Sequence, residues 1–420
     1  MLIEFSISNF RSFREKQTFS MVAAPRLRKR ENVFKPVVKG EKLPDLLKVA
    51  AIYGPNASGK SNLIKALQIV STVVMRQPAA QPSPLPVSPF RFDPDLLNQP
   101  SRIELHFIHV EMRYVFELAL TQDRIVEERL IMFPMGKQSL LYERKHEENG
   151  DTYVFGKLLE GGSDLHEVWK KSTGPNVLFI SQAVANSSEE LTQLRQPFSW
   201  LQGGMLVLTG KMEEWADISQ RIAEKNTMFA EKISSFLQDI DVPVSNMRFE
   251  IADSPLNNSI GLLRNAQKET VKTSLKTIFI HKTVLGEAEF DFQEESEGTK
   301  NLVGFWFPWM LYNKSNQFSK ENLTLVIDEF DSSLHPDIVA TLIAKHLAFD
   351  SSAQLIFTTH DTHLMDTKLL RRDQFWLTER DANGATQLRS IHDFEGREGE
   401  DLEKRYYEGR YRALPIIRRS

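Results

Sequence analysis

Eight consecutive residues have the composition and spacing of a phosphate-binding loop. They follow the apolar run Val49–Tyr53 and precede a helical pattern, and they are Gly54, Pro55, Asn56, Ala57, Ser58, Gly59, Lys60 and Ser61. The glycines let backbone N–H groups converge on phosphate oxygens, and the helix N-terminus adds a favourable dipole. Lys60 supplies a mobile charge for the β- and γ-phosphates, and the Ser61 hydroxyl is a ligand for Mg²⁺. A chance glycine turn is the alternative, but it gives no reason for the complete pattern.

Two acids at the end of a second apolar run could complete a site for phosphoryl transfer. Leu323–Ile327 is typical of a buried strand, and Asp328 and Glu329 follow it. An acid at the carboxyl end of a strand beside a phosphate loop can hold Mg²⁺ and its water shell, so we assign this metal role to Asp328. Glu329 is then placed to polarise the attacking water as a general base. Two surface acids in a turn are the alternative, which the apolar run disfavours.

His360 follows a third apolar run, Gln354–Thr359. A histidine at the carboxyl end of a strand next to a nucleotide can bind or sense the γ-phosphate. A lone histidine is more often structural, but its position directly after a strand favours the functional interpretation. His363 is a less favoured candidate for the same role.

Composition limits the class of protein. The chain has 420 residues, of which 41% are hydrophobic and 26% charged, which is typical of an ordered soluble protein with two or three lobes. We find no apolar run near the ~18 residues of a membrane span and no secretory signal, so we expect a cytoplasmic protein without membrane contact. The absence of cysteine excludes disulfides, thiolate metal sites and cysteine nucleophiles. The net charge of −4 leaves any nucleic-acid binding to local patches.

The periodicity of the sequence predicts an α/β protein with a large insertion. We expect a first lobe with the phosphate loop at 1–77, a proline-rich linker at 78–100 and an antiparallel β subdomain at 101–173. A helical insertion with returning strands follows at 174–285, then a second lobe at 286–380 and a C-terminal extension at 381–420. More than 260 residues separate Ser61 from Asp328, which is why we infer an insertion. The sequence has no sustained heptad repeat, so we expect no long coiled coil.

The ordered motifs resemble those of ABC-type ATPases of the SMC/RecF/OLD group. Within this group, the chain is most similar to RloA-like, "AAA family ATP-binding" proteins of bacterial antiphage and restriction systems. The resemblance covers both ends of the chain and is weak between about 80 and 280. It is carried by Phe5–Phe13, Gly54–Ser61, Glu295–Lys300, Val326–Glu329, Asp331–Pro336, Thr358–His360 and Tyr407–Tyr411. It implies an ABC-type head, a mixed or parallel sheet with flanking helices and an antiparallel β subdomain, that uses ATP and Mg²⁺.

The resemblance also implies a site shared between two copies in a head-to-head dimer. Ser296 and Gly298 match the signature motif, which contacts the γ-phosphate bound by the other subunit. Only these two positions match, because the segment reads Ser-Glu-Gly-Thr-Lys where transporters carry Leu-Ser-Gly-Gly-Gln. An ordinary helix cap at Ser296 is the alternative. Asp331 matches the D-loop, which couples the two sites.

The resemblance also bears on His360 and implies roles for two further residues. His360 matches the switch histidine, and Arg11 resembles an N-terminal arginine that lies near the nucleotide in SMC-like heads. These ATPases also use a glutamine that binds Mg²⁺ or water. Gln182 is our candidate because it follows 176–181, which we predict as an apolar strand. An ordinary polar loop residue is the alternative for Gln182.

The implied function is an ATP-binding and ATP-hydrolysing sensor or scaffold in antiphage defence. We recognise no Toprim acid cluster or histidine metal pair, so a nuclease, of the Toprim class or another, would be a separate effector, and DNA or a phage protein is a candidate trigger. The first alternative is a RecF-like repair ATPase that clamps DNA. Its candidate contacts are Arg26–Arg30, which otherwise form a solvated loop, and Arg371, Arg372, Arg410, Arg412, Arg418 and Arg419. The second is a weakly hydrolysing scaffold that ATP holds as an oligomer.

Overall fold

The computed structural model describes residues 1–79, 83–210, 212–252, 274–318, 323–349, 351–411 and 413–414. The chain forms two compact units. The first consists of Met1–Thr209, Tyr312–Asp331 and His335–Ser420, and the second of Gly210–Leu311 and Ser332–Leu334.

The strands and helices of the described residues have the following bounds. The strands are β1 (Leu2–Ser8), β2 (Gln17–Ser20), β3 (Val33–Phe34), β4 (Leu46–Leu47), β5 (Val49–Tyr53), β6 (Ser101–His109), β7 (Met112–Leu120), β8 (Ile125–Met132), β9 (Ser139–Glu147), β10 (Gly150–Phe155), β11 (Met205–Leu208), β12 (Val244–Ala252), β13 (Ser274–Thr283), β14 (Gly286–Asp291), β15 (Thr324–Ile327), β16 (Gln354–Thr358), β17 (Phe375–Arg380) and β18 (Thr386–Ser390). The helices are α1 (Lys60–Val74), α2 (Gly162–Ser172), α3 (Phe179–Ala185), α4 (Arg195–Gly203), α5 (Glu213–Lys225), α6 (Thr227–Gln238), α7 (Glu297–Phe318), α8 (Pro336–Ala348) and α9 (Leu402–Tyr407).

A six-stranded mixed sheet forms the centre of the first unit. Its strand order is β11-β15-β16-β5-β17-β18, in which all neighbours are parallel except the last pair. Strands β5, β15 and β16 are buried along their whole length, because a parallel sheet is covered on both faces and therefore needs continuous apolar runs. Their carboxyl ends meet at one edge of the sheet. The predicted α/β class with a mixed sheet is confirmed.

The second sheet of this unit is antiparallel and seven-stranded, in the order β10-β9-β8-β7-β6-β1-β2. The meander predicted for 101–173 corresponds to β6–β10. Strand β1 extends the meander by pairing with β6, so that Phe5 lies opposite Leu105. This long-range pairing has no signal in the sequence, since alternation predicts a strand but not its neighbour.

One hydrophobic cluster contains side chains of both sheets and of α1. Leu63, Ile64 and Leu67 of this helix are almost completely buried. The rings of Phe107 and Trp200 stack within the same cluster, with centroids 4.0 Å apart. The helix that follows the phosphate loop is therefore embedded in the core, which fixes its N-terminus.

The region predicted as a helical insertion, 174–285, does not form one unit. Helices α3 and α4 pack in the first unit, and Met205–Leu208 adds strand β11 to the central sheet, parallel to β15. The strand predicted for 176–181 is wrong, because α3 begins at Phe179. The buried carboxylate of Glu128 accepts hydrogen bonds from the N–H groups of Phe179 and Ile180 and so caps this helix. A short apolar run is compatible with either a strand or a helix. Here Glu128, about fifty positions earlier in the sequence, favours the helix.

The second unit contains α5, α6, the antiparallel sheet β12-β13-β14 and α7 up to Leu311. Part of the helical pattern predicted within 174–285 forms the two helices α5 and α6, which are separated at Asn226, whose side chain caps α6. The predicted second lobe, 286–380, is divided, because β15 and β16 belong to the first unit. Within the described ranges no helix exceeds the 22 residues of α7, so these ranges contain no long coiled coil. Among the same residues, no helix combines the length and hydropathy that a membrane span requires.

Candidate nucleotide-binding site

The predicted phosphate loop connects β5 to α1. Gly54 has φ = 151° and Gly59 has φ = 111°, values that residues with side chains rarely adopt. A Cβ atom at Gly54 would collide with Thr378, and one at Gly59 with Thr386. The two glycines are therefore required by the close approach of the loop to β17 and β18 as well as by any phosphate.

A network of small hydroxyl side chains holds the loop against this hairpin. The hydroxyls of Ser58 and Thr378 lie 2.5 Å apart, and Thr386 Oγ1 lies 2.8 Å from both Ser58 O and Ser12 Oγ. The Asn62 amide also donates to Ser12 Oγ, over 2.8 Å. Sequence analysis identified Ser58 as part of the phosphate loop but not this network, because residues from three distant parts of the chain have no recognisable spacing.

Arg11 lies in the turn after β1, directly beside Ser12. Its φ is 51°, and its N–H donates to Ser88 O over 2.8 Å. The side chain is exposed, with its guanidinium 5.5 Å from the centroid of the Phe10 ring. The structure thus places the backbone of Arg11 next to the loop network through Ser12.

Lys60 is buried at the start of α1. Its ammonium donates to Gly54 O over 2.7 Å and to Pro55 O over 3.3 Å. Burial lowers the pKa of Lys60 to about 8, while the negative charges of Asp328 and Glu329 act in the opposite direction. The ammonium therefore lies within electrostatic reach of both predicted catalytic acids.

Asp328 and Glu329 follow β15 at the carboxyl edge of the central sheet, as predicted. Thr358 Oγ1 donates to Asp328 Oδ1 over 2.7 Å and accepts from the N–H of Glu329, also over 2.7 Å. The Glu329 side chain is exposed, and its φ of 54° lies in the left-handed region. Asp328 is thus hydrogen-bonded to the end of β16 through its carboxylate, and Glu329 through its backbone N–H.

His360 lies at the end of β16, and its N–H donates to Asp331 Oδ2 over 3.1 Å. Burial and the charge of Lys60 lower the pKa of His360 below 6.5, whereas Asp331 and the two acids after β15 act in the opposite direction. His363 instead belongs to a local turn, with Nδ1 2.9 Å from Asp361 Oδ1. The structure therefore brings together five charged or titratable groups predicted from the sequence: Lys60, Asp328, Glu329, Asp331 and His360.

The donor atoms at this edge fit a magnesium nucleotide. The Ser61 hydroxyl and the Asp328 carboxylate are hard oxygen ligands, which Mg²⁺ prefers, and Lys60 matches the charge of phosphate. The described ranges contain no group of three or more histidines and acids that could hold a metal ion by themselves. Proteins usually bind Mg²⁺ through one or two side chains together with substrate phosphates and waters.

The structure does not bring Gln182, predicted as a ligand of Mg²⁺ or water, to the phosphate loop. Gln182 is buried on α3, and the hydroxyl of its neighbour Ser181 donates to the carbonyl of Val74 over 2.7 Å. Val74 is the last residue of the 15-residue helix α1. At a rise of ~1.5 Å per residue, this end lies about 20 Å from Ser61.

In the second unit, Ser296 precedes α7. Its Oγ accepts from the N–H of Thr299 over 3.1 Å, so Ser296 caps the helix, as the alternative interpretation predicted. A Cβ atom at Gly298 would lie 2.7 Å from Ser333 O, which explains the glycine by close packing within the unit. Ser296 is exposed at the positive end of a helix.

Two pairs of arginines predicted as DNA contacts differ in their exposure to solvent. Arg371 and Arg372 are each only 4% exposed, which excludes contact with a DNA backbone. Arg371 pairs with Asp373, and Arg372 donates to main-chain carbonyls. In the basic cluster 26–30, Arg28 and Arg30 are exposed but lie 3.9 Å and 3.3 Å from the carboxylates of Glu398 and Asp45. Arg410 is exposed and pairs with Glu408, while Arg412, Arg418 and Arg419 lie outside the described residues.

Comparison with solved structures finds heads of SMC proteins. A head bound to the C-terminal winged-helix domain of ScpA has 14% identity and a TM-score of 0.44, with 93% of this chain and 97% of that chain covered. The head domain from Thermotoga maritima has 15% identity and a TM-score of 0.38, with coverage of 93% and 98%. A head with an extended coiled coil, bound to the C-terminal domain of ScpA derived from Pyrococcus furiosus, has 11% identity and a TM-score of 0.42, with coverage of 93% and 97%.

Comparison with curated proteins finds no match. A family profile described as "AAA domain, putative AbiEii toxin, Type IV TA system" matches residues 49–366. The match spans most of the chain and runs from the strand before the phosphate loop past His360. The chain therefore belongs to this family of AAA domains.

Proposed function

We propose that this protein binds ATP together with Mg²⁺ and hydrolyses it to ADP and phosphate. The observation that carries the proposal is the convergence of Lys60, Asp328 and Glu329 at the carboxyl edge of one sheet, beside a complete phosphate loop. Ligands of open α/β sheets bind at this edge. Membership of a family of AAA domains supports the same activity.

Each residue has a distinct role in this proposal. Lys60 exchanges its two carbonyl partners for phosphate oxygens, while Ser61 and Asp328 hold Mg²⁺. When bound, the metal neutralises the charge of the phosphates. Glu329 takes a proton from water as the water oxygen bonds to the γ-phosphorus and the bond from that phosphorus to the ADP oxygen breaks. His360 donates a hydrogen bond to the γ-phosphate.

Phosphate release by the purified protein tests this activity. We expect steady release from ATP with Mg²⁺, and loss of that release when EDTA removes the metal, since the Ser61 and Asp328 oxygens alone do not neutralise the phosphates. Undiminished hydrolysis in EDTA would contradict the assigned metal role. Failure to bind or hydrolyse magnesium ATP would contradict the proposal as a whole.

We further infer that two copies of the chain enclose the nucleotide, with Ser296 and Gly298 of one facing the γ-phosphate of the other. The exposed position of Ser296 at the N-terminus of α7 supports this role, since helix N-termini attract anions. The weakly hydrolysing scaffold is the same arrangement with little turnover. ATP-dependent assembly without measurable phosphate release would favour it.

For the cellular role, we propose an ATP-gated sensor or scaffold in bacterial defence that acts with a separate effector, such as a nuclease. The family description names a putative toxin of a type IV toxin–antitoxin system. This description supports a role in defence and makes toxin activity the second candidate function. Phage plating on cells that carry the gene with its neighbours tests the defence role. Protection that a hydrolysis-deficient variant loses would support it, whereas growth arrest by the chain alone would favour the toxin.

A RecF-like DNA clamp is a less favoured alternative. Burial removes Arg371 and Arg372 from the candidate contacts, and carboxylates partly neutralise Arg28 and Arg30. DNA binding that requires ATP and weakens steeply with salt would nevertheless favour the clamp.

A further inference from the structure

Thr358 is the last residue of β16 and is completely buried. Its hydroxyl makes the two 2.7 Å hydrogen bonds described above, one given to Asp328 Oδ1 and one received from the N–H of Glu329. The main chain adds a third link, since Phe330 N–H donates to Thr358 O over 3.0 Å. The Thr358 side chain therefore forms hydrogen bonds with both Asp328 and Glu329.

These bonds restrain the two acids in different ways. The hydroxyl occupies one oxygen of Asp328 and so limits rotation of the carboxylate that would hold Mg²⁺. Glu329 has φ = 54°, a strained conformation for a residue with a side chain, and such strain persists only where neighbouring contacts enforce it. The hydrogen bond to its N–H is one of these contacts. Because the hydroxyl donates and accepts at once, each bond polarises and strengthens the other.

The same strand end also carries His360, two residues further on. The N–H of His360 donates to Asp331 Oδ2, so the segments 358–360 and 328–331 are joined at several consecutive positions. Hydrogen bonds thus connect the segments that carry the proposed phosphate sensor His360, the metal ligand Asp328 and the general base Glu329. Thr358 lies at the buried centre of this hydrogen-bond network.

We propose that Thr358 is a positioning residue for ATP hydrolysis, which orients Asp328 toward Mg²⁺ and holds Glu329 in its reactive conformation. The inference rests on the proposed ATPase activity and gives a role to a residue to which the sequence motifs assigned none. Thr358 itself touches no reacting atom. Its loss therefore affects turnover and the metal requirement more than the affinity for ATP.

The test compares Thr358→Val, which keeps the shape but removes the hydroxyl, with Thr358→Ser, which keeps the hydroxyl. Removal of a group that orients a metal ligand typically costs ~10–100-fold. We expect Thr358→Val to lower kcat by about this factor and to raise the Mg²⁺ concentration needed for half-maximal activity, with KM for ATP nearly unchanged. Thr358→Ser should retain parental values.

Thr324→Val is the matched control. Thr324 is also a fully buried threonine of this sheet, at the start of β15, and its hydroxyl lies 3.2 Å from Gln354 Oε1. Its substitution should alter stability without changing the metal requirement. A purely structural role for Thr358 predicts that the two valine variants behave alike, and this result would overturn the inference.

Two further measurements separate this inference from the proposed function. If Thr358→Val fails to fold, Thr358→Ala serves in its place, with folding checked by circular dichroism. If the parent protein binds magnesium ATP without hydrolysing it, the ATPase proposal fails, and the gain in ATP affinity on adding Mg²⁺ becomes the readout. Loss of this gain in Thr358→Val would support the positioning role, and its full retention would contradict it.

Discussion

Lys60 carries its charge where folding has removed much of the surrounding water. Burial lowers the pKa of this side chain from 10.5 to about 8, and bound phosphates would raise it again by direct attraction. As the pH rises through 8, the free protein therefore loses the charge that ATP binding requires.

The affinity for ATP should thus fall as the pH increases from 7.5 to 9.5, by up to about tenfold per unit above pH 8, because each pKa unit corresponds to a factor of ten in binding. Equilibrium titration with ATP at several pH values measures this. Lys60→Arg should show a flat profile over the same range, since the guanidinium keeps its proton. A parent protein with pH-independent affinity would show that Lys60 is not the group that meets the phosphates.

At this scale the sequence predicted the contiguous motifs and missed the residues that support them. Gly54–Ser61 and Asp328–Glu329 are recognisable because the chemistry needs neighbouring residues of particular types. Thr358 and Ser12 lie within recognised segments, but their hydrogen bonds, like those of Thr386, depend on contacts between distant parts of the chain that no sequence pattern predicts. The role predicted for Gln182 depended on a preceding strand, and α3 begins at Phe179 within that segment.

Helix α3 shows how a distant residue decides the type of an element. The carboxylate of Glu128 is completely buried and accepts from the N–H groups of Phe179 and Ile180, over 2.7 Å and 3.0 Å, and from the Tyr142 hydroxyl, over 2.6 Å. Arg144 Nη1, also buried, lies 3.9 Å from Glu128. Periodicity identified the long α1 and the meander because their patterns extend over many residues, whereas β11 has only four residues and α3 seven.

Glu128→Ala should therefore lower the free energy of unfolding by about 3–5 kcal/mol, because it removes the cap of α3 and leaves the buried Arg144 with one counter-charge fewer. Denaturant unfolding measures the change. Glu127→Ala is the matched control, since Glu127 forms ion pairs with Arg102 and Lys145 on the partly exposed face of the same strand and should cost less than about 1 kcal/mol. Equal effects of the two substitutions would contradict the assigned role of Glu128.

The whole molecule consists of two units, which carry different parts of the proposed site. The first unit contains the phosphate loop, the acids after β15 and His360, and the second contains Ser296 and Gly298. Sequence analysis predicted a large insertion but divided the chain differently, because contiguous boundaries cannot describe units built from separate segments. The proposed sharing of the site between two copies predicts that nucleotide drives self-association.

Magnesium ATP should convert the Glu329→Gln variant, in which hydrolysis is blocked, from monomer to dimer in sedimentation experiments. Adding Ser296→Asp should prevent the dimer, because the acid still caps α7 but repels the γ-phosphate. Ser296→Asn preserves the cap without a charge and is the control for helix integrity. Dimerisation of the aspartate variant with undiminished affinity would place Ser296 outside the interface.

In the proposed mechanism, the phosphate loop and the acids at the end of β15 form one site that hydrolyses ATP. The most direct test measures both hydrolysis and binding of ATP in Glu329→Gln, with Asp337→Asn, an exposed acid at the start of α8, as the control. We predict that Glu329→Gln lowers kcat by ~10²–10⁴-fold, as expected for loss of a general base, while it still binds magnesium ATP. Hydrolysis by Glu329→Gln at the parental rate would contradict this mechanism.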